Sequence, residues 1–403
     1  MLPEGWSEIA LEDLANVERG KFSARPRNDP KFYNGTTPFV QTGDVSSSDT
    51  YLREYTQTLN DEGVKVSKIF PKGTILVTIA ANIGDSAIAE FDVACPDSVV
   101  GIQCYQEKSN NIWLKFKIDT IKKNLDNEAG KNAQKNINLQ LLKPLKILTP
   151  PLPEQEKIAA ILSTWDKAIS TTDALLANSR QQKKALMQQL LTGKRRLPGF
   201  TGEWLSRHLS EIGTTYTGIT GKSKEDFGKG KFFIPYTNIF NNASVDINYL
   251  EKVDILDGEC QNVVQYGDML FTTSSETPDE VGMSSVVLDE IENIYLNSFC
   301  FGFRLHNFCE LSPIYAKFLF RGEIFRKNVI VLAQGATRYN LPKKQFLNIN
   351  ISFPPLDEQR AIAAVLDAAD KEIVLLEQKA ARLREEKKAL MQQLLTGKRR
   401  VRL

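Results

Sequence analysis

Few residues of this 403-residue sequence are placed to do covalent or metal chemistry. Two histidines occur, His208 and His306, so zinc sites or nucleophilic triads built on imidazole are poorly supplied. Gly218-Ile219-Thr220-Gly221-Lys222-Ser223 ends like a phosphate-binding loop. That motif needs glycine at position 216, where Tyr216 stands, and no clear strand or helix flanks it, so it reads as a basic loop. The Asp/Asn-Pro-Pro-aromatic tetrapeptide with which amino-methyltransferases hold an extruded base is missing, because Pro150-Pro151 and Pro354-Pro355 are each followed by leucine. No G-x-G-x-x-G cofactor loop occurs either. Five cysteines, an odd number at no zinc-like spacing, read as reduced thiols of a cytosolic protein. The expectation is a chain with no catalytic residue, no metal and no cofactor of its own.

What remains are basic loops rich in amides and hydroxyls. The first half of the chain offers Arg19, Lys21, Arg25 and Arg27, then Lys131, Asn132, Gln134, Lys135 and Asn136. The second half offers Thr217, Thr220, Lys222, Lys224, Lys229 and Lys231, then Thr337, Arg338, Tyr339, Asn340, Lys343 and Lys344. Arginine and lysine neutralise phosphates, while Asn or Gln can bond adenine bidentately and Arg can do so to guanine. A charge run by itself is usually a solvated face. These loops recur at equivalent places in both halves and differ in content, which suits two readers of different nucleic-acid sequences.

Equivalent places exist because the chain is an internal repeat. KKALMQQLLTGKRR occurs at Lys183–Arg196 and again, 204 positions on, at Lys387–Arg400. The offset holds upstream: Pro150-Pro151-Leu152-Pro153-Glu154-Gln155 matches Pro354-Pro355-Leu356-Asp357-Glu358-Gln359, and Ile158-Ala159-Ala160 matches Ile362-Ala363-Ala364. Each segment reads as one helix. Prolines suit its start, Glu154 and Glu358 lie in the positive first turn, and Gly193 and Gly397 stand where a left-handed residue closes a helix. With no internal Gly or later Pro, roughly 38 residues make a helix of about 57 Å, a length that argues for a coiled coil.

The heptad agrees. In the first copy the seam runs through Ile158, Leu162, Trp165, Ile169, Leu176, Leu186 and Leu190, with Lys183 at a late a position. In the second it runs through Ile362, Leu366, Ile373, Leu376, Leu383, Leu390 and Leu394, with Lys387 at the same place. An antiparallel pair with one domain at each end spares the second domain a return of the chain along the helix. Facing residues then sum to about 552, which sets Trp165 near Lys387 and Ala369 near Lys183; a cation over the indole contributes about 0.5–2 kcal/mol. The outer faces, with Gln188, Gln189, Gln392 and Gln393, offer themselves to partner helices.

Hydrophobic content of 42%, charged content of 25% and a net charge of +2 are ordinary for a soluble globular protein. No signal peptide and no apolar run of transmembrane length is seen, so a membrane role is not expected. The predicted divisions are 1–149 and 197–353 as recognition domains, with 150–196 and 354–403 as the central and distal helices. Short β-branched and aromatic runs (Thr74–Ala80, Val99–Tyr105, Val263–Thr272, Ser284–Leu288, Phe299–Leu305) predict strands. Trp113–Lys123 and Ser312–Lys327 predict helices, so the class is α+β.

The two proline-led words and their Gln-Gln-Leu-Leu-Thr-Gly-Lys endings resemble the specificity subunits of Type I restriction–modification enzymes, over essentially the whole chain. Gly73–Val77, Ile83-Gly84 and the Gln134–Ile137 region are weaker family-like pieces. The resemblance implies two target recognition domains, each reading one half of a bipartite double-stranded DNA sequence, separated by an antiparallel coiled coil that sets the gap. It implies a non-catalytic chain that positions two methyltransferase subunits and restriction/translocase subunits, which use S-adenosylmethionine, ATP and Mg2+. Asp357 departs from Pro153 of the first copy, and since Asp is favourable in a first turn the helix start is expected to survive. Readings of other classes are a fused methyltransferase or nuclease, which the pure chain with cofactor and DNA would reveal, and a coiled-coil adaptor, which a steeply salt-dependent DNA affinity would reject.

Overall fold

In the computed structural model residues 3–80, 82–129, 137–335 and 337–402 are described, with the backbone alone at 124 and 126–129. The chain forms two compact units, residues 1–174 with 378–403, and residues 175–377. Both contain pieces of both long helices, Leu152–Leu190 and Leu356–Leu394, each of 39 residues. Gly193 (φ 68°) and Gly397 (φ 71°) follow them in the left-handed conformation that stops a helix, and Asp357 does not delay the second start.

In unit 1 a five-stranded sheet has the order Ala15–Arg19, Val99–Cys104, Ile75–Thr78, Ser86–Ala89, Tyr51–Leu52. A four-stranded sheet follows as Gln57–Leu59, Tyr33–Phe39, Val93–Ala94, Ile69–Phe70, and Ser7–Ala10 pairs with Lys146–Thr149. Unit 2 repeats the plan. Its order is Gly213–Thr217, Cys300–Leu305, Met269–Thr272, Ser284–Val286, then Glu251–Val253, Phe227–Ile234, Tyr295–Leu296, with Leu205–His208 on Asn350–Phe353. The expected strands are therefore present, trimmed at their ends, except that Val263–Thr272 is a strand only over Met269–Thr272, Val263 making a single bridge to Tyr295. The helix expected over Ser312–Lys327 is instead two, Pro313–Leu319 and Glu323–Leu332. The break falls where Arg321 turns inward to donate to the carbonyls of Ser284, Ile239, Phe240 and Asn242, at 2.7–3.0 Å, with Gly322 capping the next helix.

The paired words of the repeat hold each domain to the helices. Gln155, 1% exposed, accepts from the Asn110 N–H at 2.9 Å and donates to the Lys108 and Pro150 carbonyls at 3.1 and 3.0 Å. Gln359 does the same in unit 2 with Ser312, Glu310 and Pro354. Glu154, also 1% exposed, receives the Arg400 guanidinium through two oxygens at 2.7 and 2.8 Å and the Trp6 indole N–H at 3.1 Å. Glu358 receives Arg196 in the same two-pronged way. The glutamate opening each helix thus meets the arginine closing the other, which is why both words occur twice.

Within each unit the helix segments run antiparallel. Unit 1 pairs Lys387 with Asp166 and Arg384 with Asp173; unit 2 pairs Lys183 with Asp370 and Arg180 with Glu377. The seam residues behave as a buried stripe: Ile158, Leu162, Leu190, Ile362, Leu366 and Leu394 are buried, and Trp165, Ile169, Leu176, Leu186, Ile373, Leu376, Leu383 and Leu390 are half-buried. Ile158, Leu162 and Leu394 join the core of unit 1 with Trp113 and Phe116, while Leu190, Ile362 and Leu366 join that of unit 2 with Tyr315 and Phe318. The partners of the two lysines differ from those expected. Lys387 goes to the Asp166 carboxylate and lies 4.7 Å from the Phe116 ring centre; Lys183 goes to Asp370, 5.8 Å from Phe318. A charge-assisted hydrogen bond in a half-buried seam outweighs an indole face, so the carboxylate next to Trp165 takes the ammonium. On the outer face Gln188 donates to the Glu323 carboxylate at 2.7 Å.

Candidate nucleic-acid interface

In unit 1 the edge strand Ala15–Arg19 ends at an exposed Arg19, whose guanidinium donates to the Asp97 carbonyl. Arg27 reaches the Asp97 carboxylate from the following loop, at 3.0 and 2.8 Å. Arg25 donates to the Ala24 carbonyl at 2.7 Å, and Lys21 is exposed beside it. Two guanidinium groups thus ride on the loop that Arg19 leads into, which also contributes Phe22 to an aromatic cluster with Phe32, Tyr33 and Phe39. The Arg27–Asp97 pair is half exposed and contributes only about 0–1 kcal/mol, so exchanging the carboxylate for a phosphate costs little. Lys131, Asn132, Gln134, Lys135 and Asn136 lie outside the described residues.

In unit 2 the loop after Gly213–Thr217 is tied down. Asn262 donates to the Thr217 carbonyl at 3.1 Å, and Gln261 bonds both backbone groups of Thr220 at 3.0 and 2.8 Å. Lys222 pairs with Glu259 at 2.5 Å with its side chain only 9% exposed, and that bond holds the Glu259 carboxyl below its ordinary pKa. Lys222 is therefore engaged within the loop, whereas Lys224 is exposed. A Cβ on Gly218 would lie 2.0 Å from the Asn297 carbonyl oxygen, so this glycine serves close packing against a neighbouring turn, with no phosphate-cradle geometry. In the other expected loop, which the structure forms as the short strand Tyr339–Asn340 and the helix Lys343–Leu347, Thr337, Arg338, Asn340 and Lys344 are exposed and Tyr339 half-buried. Lys343, over the Phe301 ring at 5.8 Å, is pulled below the usual lysine pKa by burial.

Arg338 lies 5.8 Å from the centre of Phe299, a ring 56% exposed. Together they border an open cavity of about 380 Å³ whose other walls include Tyr236, Phe240, Ser275, Glu276 and Glu280. Tyr236 and Phe240 stack at 5.9 Å. Flat rings, a guanidinium and carboxylates are groups that stack on and hydrogen-bond to base edges. Sequence reasoning missed Asp97, Glu259 and Phe299, each remote in sequence from the cation it meets, and Glu276, which lines the cavity beside Arg338; only contact across the fold reveals them. The buried Asp268 carboxylate, held by Arg304 at 2.7 and 2.6 Å and by the Tyr216 hydroxyl at 2.7 Å, is a structural knot. Burial, then the nearby carboxylate, push the Tyr216 phenol far above its ordinary pKa. Among the described residues no three His, Cys, Asp or Glu side chains converge as metal ligands, and no helix is long and apolar enough to cross a membrane.

Residues 3–178 and 201–385 match the family model of the Type I restriction modification DNA specificity domain. A putative type I restriction enzyme MjaX specificity subunit of Methanocaldococcus jannaschii is 26% identical, the match covering 99% of this chain and 95% of that one. The MjaVIII specificity subunit of the same organism is 22% identical over 99% and 94%. The fold is that of the S subunit from M. genitalium (TM-score 0.59, 15% identity, covering 98% and 99%) and of the HsdS subunit from Thermoanaerobacter tengcongensis (TM-score 0.53, 18% identity, 98% of each). Two tandem matches to one family model fall on the two repeats already read from the helices and sheets, and the chain belongs to the family of type I restriction–modification specificity subunits.

Proposed function

We propose that this chain is the DNA-reading, non-catalytic subunit of a type I restriction–modification complex. Each unit reads one half of a bipartite duplex target. The chain assembles with two adenine-methyltransferase subunits and with restriction/translocase subunits, which use S-adenosylmethionine, ATP and Mg2+. The observation that carries this reading is the repeat itself. The Gln155/Gln359 anchors and the Glu154–Arg400 and Glu358–Arg196 clamps are the same in both units, while the exposed polar loops they support differ. Gln189, Gln392 and Gln393, exposed on the outer helix faces, are proposed to receive methyltransferase helices.

Sequencing of methylated sites after reconstitution with the methyltransferase subunits tests this directly. The expected outcome is one motif of two short half-sites around a fixed gap. DNA affinity is expected to fall steeply with salt, the slope being about −0.9 per phosphate neutralised. Methylation by the pure chain alone, or a DNA affinity indifferent to salt, would reject the proposal. Removing one heptad from each long helix is expected to shorten the tolerated gap and leave both half-sites unchanged; an unaltered gap would reject the ruler role.

A further inference from the structure

One irregularity is built the same way in both units. In unit 1 the strand Tyr33–Phe39 pairs with Gln57–Leu59, yet Tyr33 and Thr37 both face Leu59, so Asn34, Gly35 and Thr36 leave the ladder. In unit 2 the strand Phe227–Ile234 pairs with Glu251–Val253, and Phe227 and Lys231 both face Val253, so Gly228, Lys229 and Gly230 leave it. The excursion has the same length in each. A short 3-10 turn precedes each one, Pro30–Phe32 and Lys224–Asp226. An aromatic pair closes each base: Tyr33 on Phe39 at 6.1 Å, Phe227 on Phe233 at 5.5 Å, both edge-on. The backbone needs positive φ at Asn34 (63°), Gly228 (95°) and Gly230 (87°). A Cβ on Gly35 or Gly230 would meet partner-strand backbone at 2.3 or 2.6 Å.

The scaffold is thus fixed tightly while the tip is left to vary. Unit 1 presents the neutral Asn34 and Thr36, with Arg25, Arg27 and Lys31, likewise exposed, a few residues earlier in the chain. Unit 2 presents Lys229 and Lys231 with exposed Phe227 and Phe232, and Lys252 lies 5.2 Å from the Phe232 ring. Lys229 keeps a largely exposed pair with Asp254 at 3.0 Å, which raises its pKa and is readily given up to a phosphate. A bulge re-aims side chains out of a ladder, and β-strand elements can enter a major groove. Glycines at the tip let the backbone itself approach a phosphate. Asn34, Thr36, Lys229 and Lys231 are all exposed.

We propose that the two strand excursions, Asn34–Thr36 and Gly228–Gly230 with Lys231, are specificity-determining elements, each contacting the half-site of its own unit. This rests on the DNA-reading function proposed above. The test uses the complex reconstituted with methyltransferase subunits, and the motif it methylates in wild-type form as the probe. N34A/T36A is expected to relax base preference, by roughly five- to hundredfold at a contacted position, in one half-site only. K229A/K231A is expected to affect only the other half-site and to lower the salt slope of binding by about one for each phosphate left without its lysine. A photo-crosslinking residue at position 36 or 229 is expected to label DNA within the corresponding half-site, a readout that stands even if a double variant folds poorly. An unchanged motif and affinity in both variants, or crosslinks outside the half-sites, would overturn the proposal. A wild-type complex without any sequence preference would instead refute the DNA-reading function itself.

Discussion

Replacing Gln155 by alanine strikes the residue that fastens unit 1's domain to its helix. The side chain is 1% exposed and makes three hydrogen bonds, to the Asn110 N–H and to the Lys108 and Pro150 carbonyls. At about 1 kcal/mol net for each bond the loss is about 3 kcal/mol, and the orphaned Asn110 N–H and the cavity left behind raise it to about 4–5 kcal/mol. Gln155→Glu keeps the volume but turns the donor toward both carbonyls into an acceptor. The carboxyl so introduced is buried among acceptors, and its folded pKa rises above the unfolded value of about 4.3. Destabilisation is then full above the folded pKa, shrinks as pH falls through it, and loses its ionic part below the unfolded value. Since the chain has two units, hydrogen exchange resolved by peptide is a better readout than a single melting curve. Amides of Trp113–Ile118 are expected to lose about three orders of magnitude of protection in Gln155→Ala, while those of Tyr315–Leu319 keep theirs. A loss below about 1 kcal/mol, or equal losses in both units, would refute the assignment of Gln155 as the anchor.

Leu162→Ala and Leu366→Ala, both at fully buried seam positions, are each expected to cost about 2–5 kcal/mol in their own unit by denaturant unfolding followed by exchange. Arg400→Gln removes the clamp on the buried Glu154 and is expected to lower the protection of unit 1 while sparing unit 2, where Arg196 holds Glu358. Alkylation of the native chain is expected to modify the exposed Cys260 and Cys309 and to spare the buried Cys95 and Cys300, as mass spectrometry of tryptic peptides would show. Burial raises the Cys95 and Cys300 thiols far above their ordinary range and Cys104 to about 11. Their stabilising share is whole below the unfolded pKa of about 8.5 and is lost as pH rises beyond it, so stability measured by urea midpoint should fall above about pH 9.

Much of the architecture is written locally. The helix limits follow from prolines, first-turn glutamates and closing glycines, and the seam follows from a seven-residue period, because both signals act over one or two helical turns. The strand-rich domains were legible as class and approximate segments for the same reason, and the Ser312–Lys327 helix failed because Arg321's inward turn depends on carbonyls some eighty residues away.

The repeat by itself determined that two like scaffolds carry two unlike polar surfaces, and it marks the words Glu-Gln and Gly-Lys-Arg-Arg as common to both. Only the tertiary structure decided that each of those words is completed by the opposite copy. It also decided which cations are spent internally: Lys222 goes to Glu259 and Lys387 to Asp166. The two excursions became visible only against their partner strands, because a looped-out residue is defined by what it fails to face. Charge and periodicity can be read along a chain; the partner that neutralises a charge or sets a register is a matter of distance in space, and distance is fixed only once the core has closed.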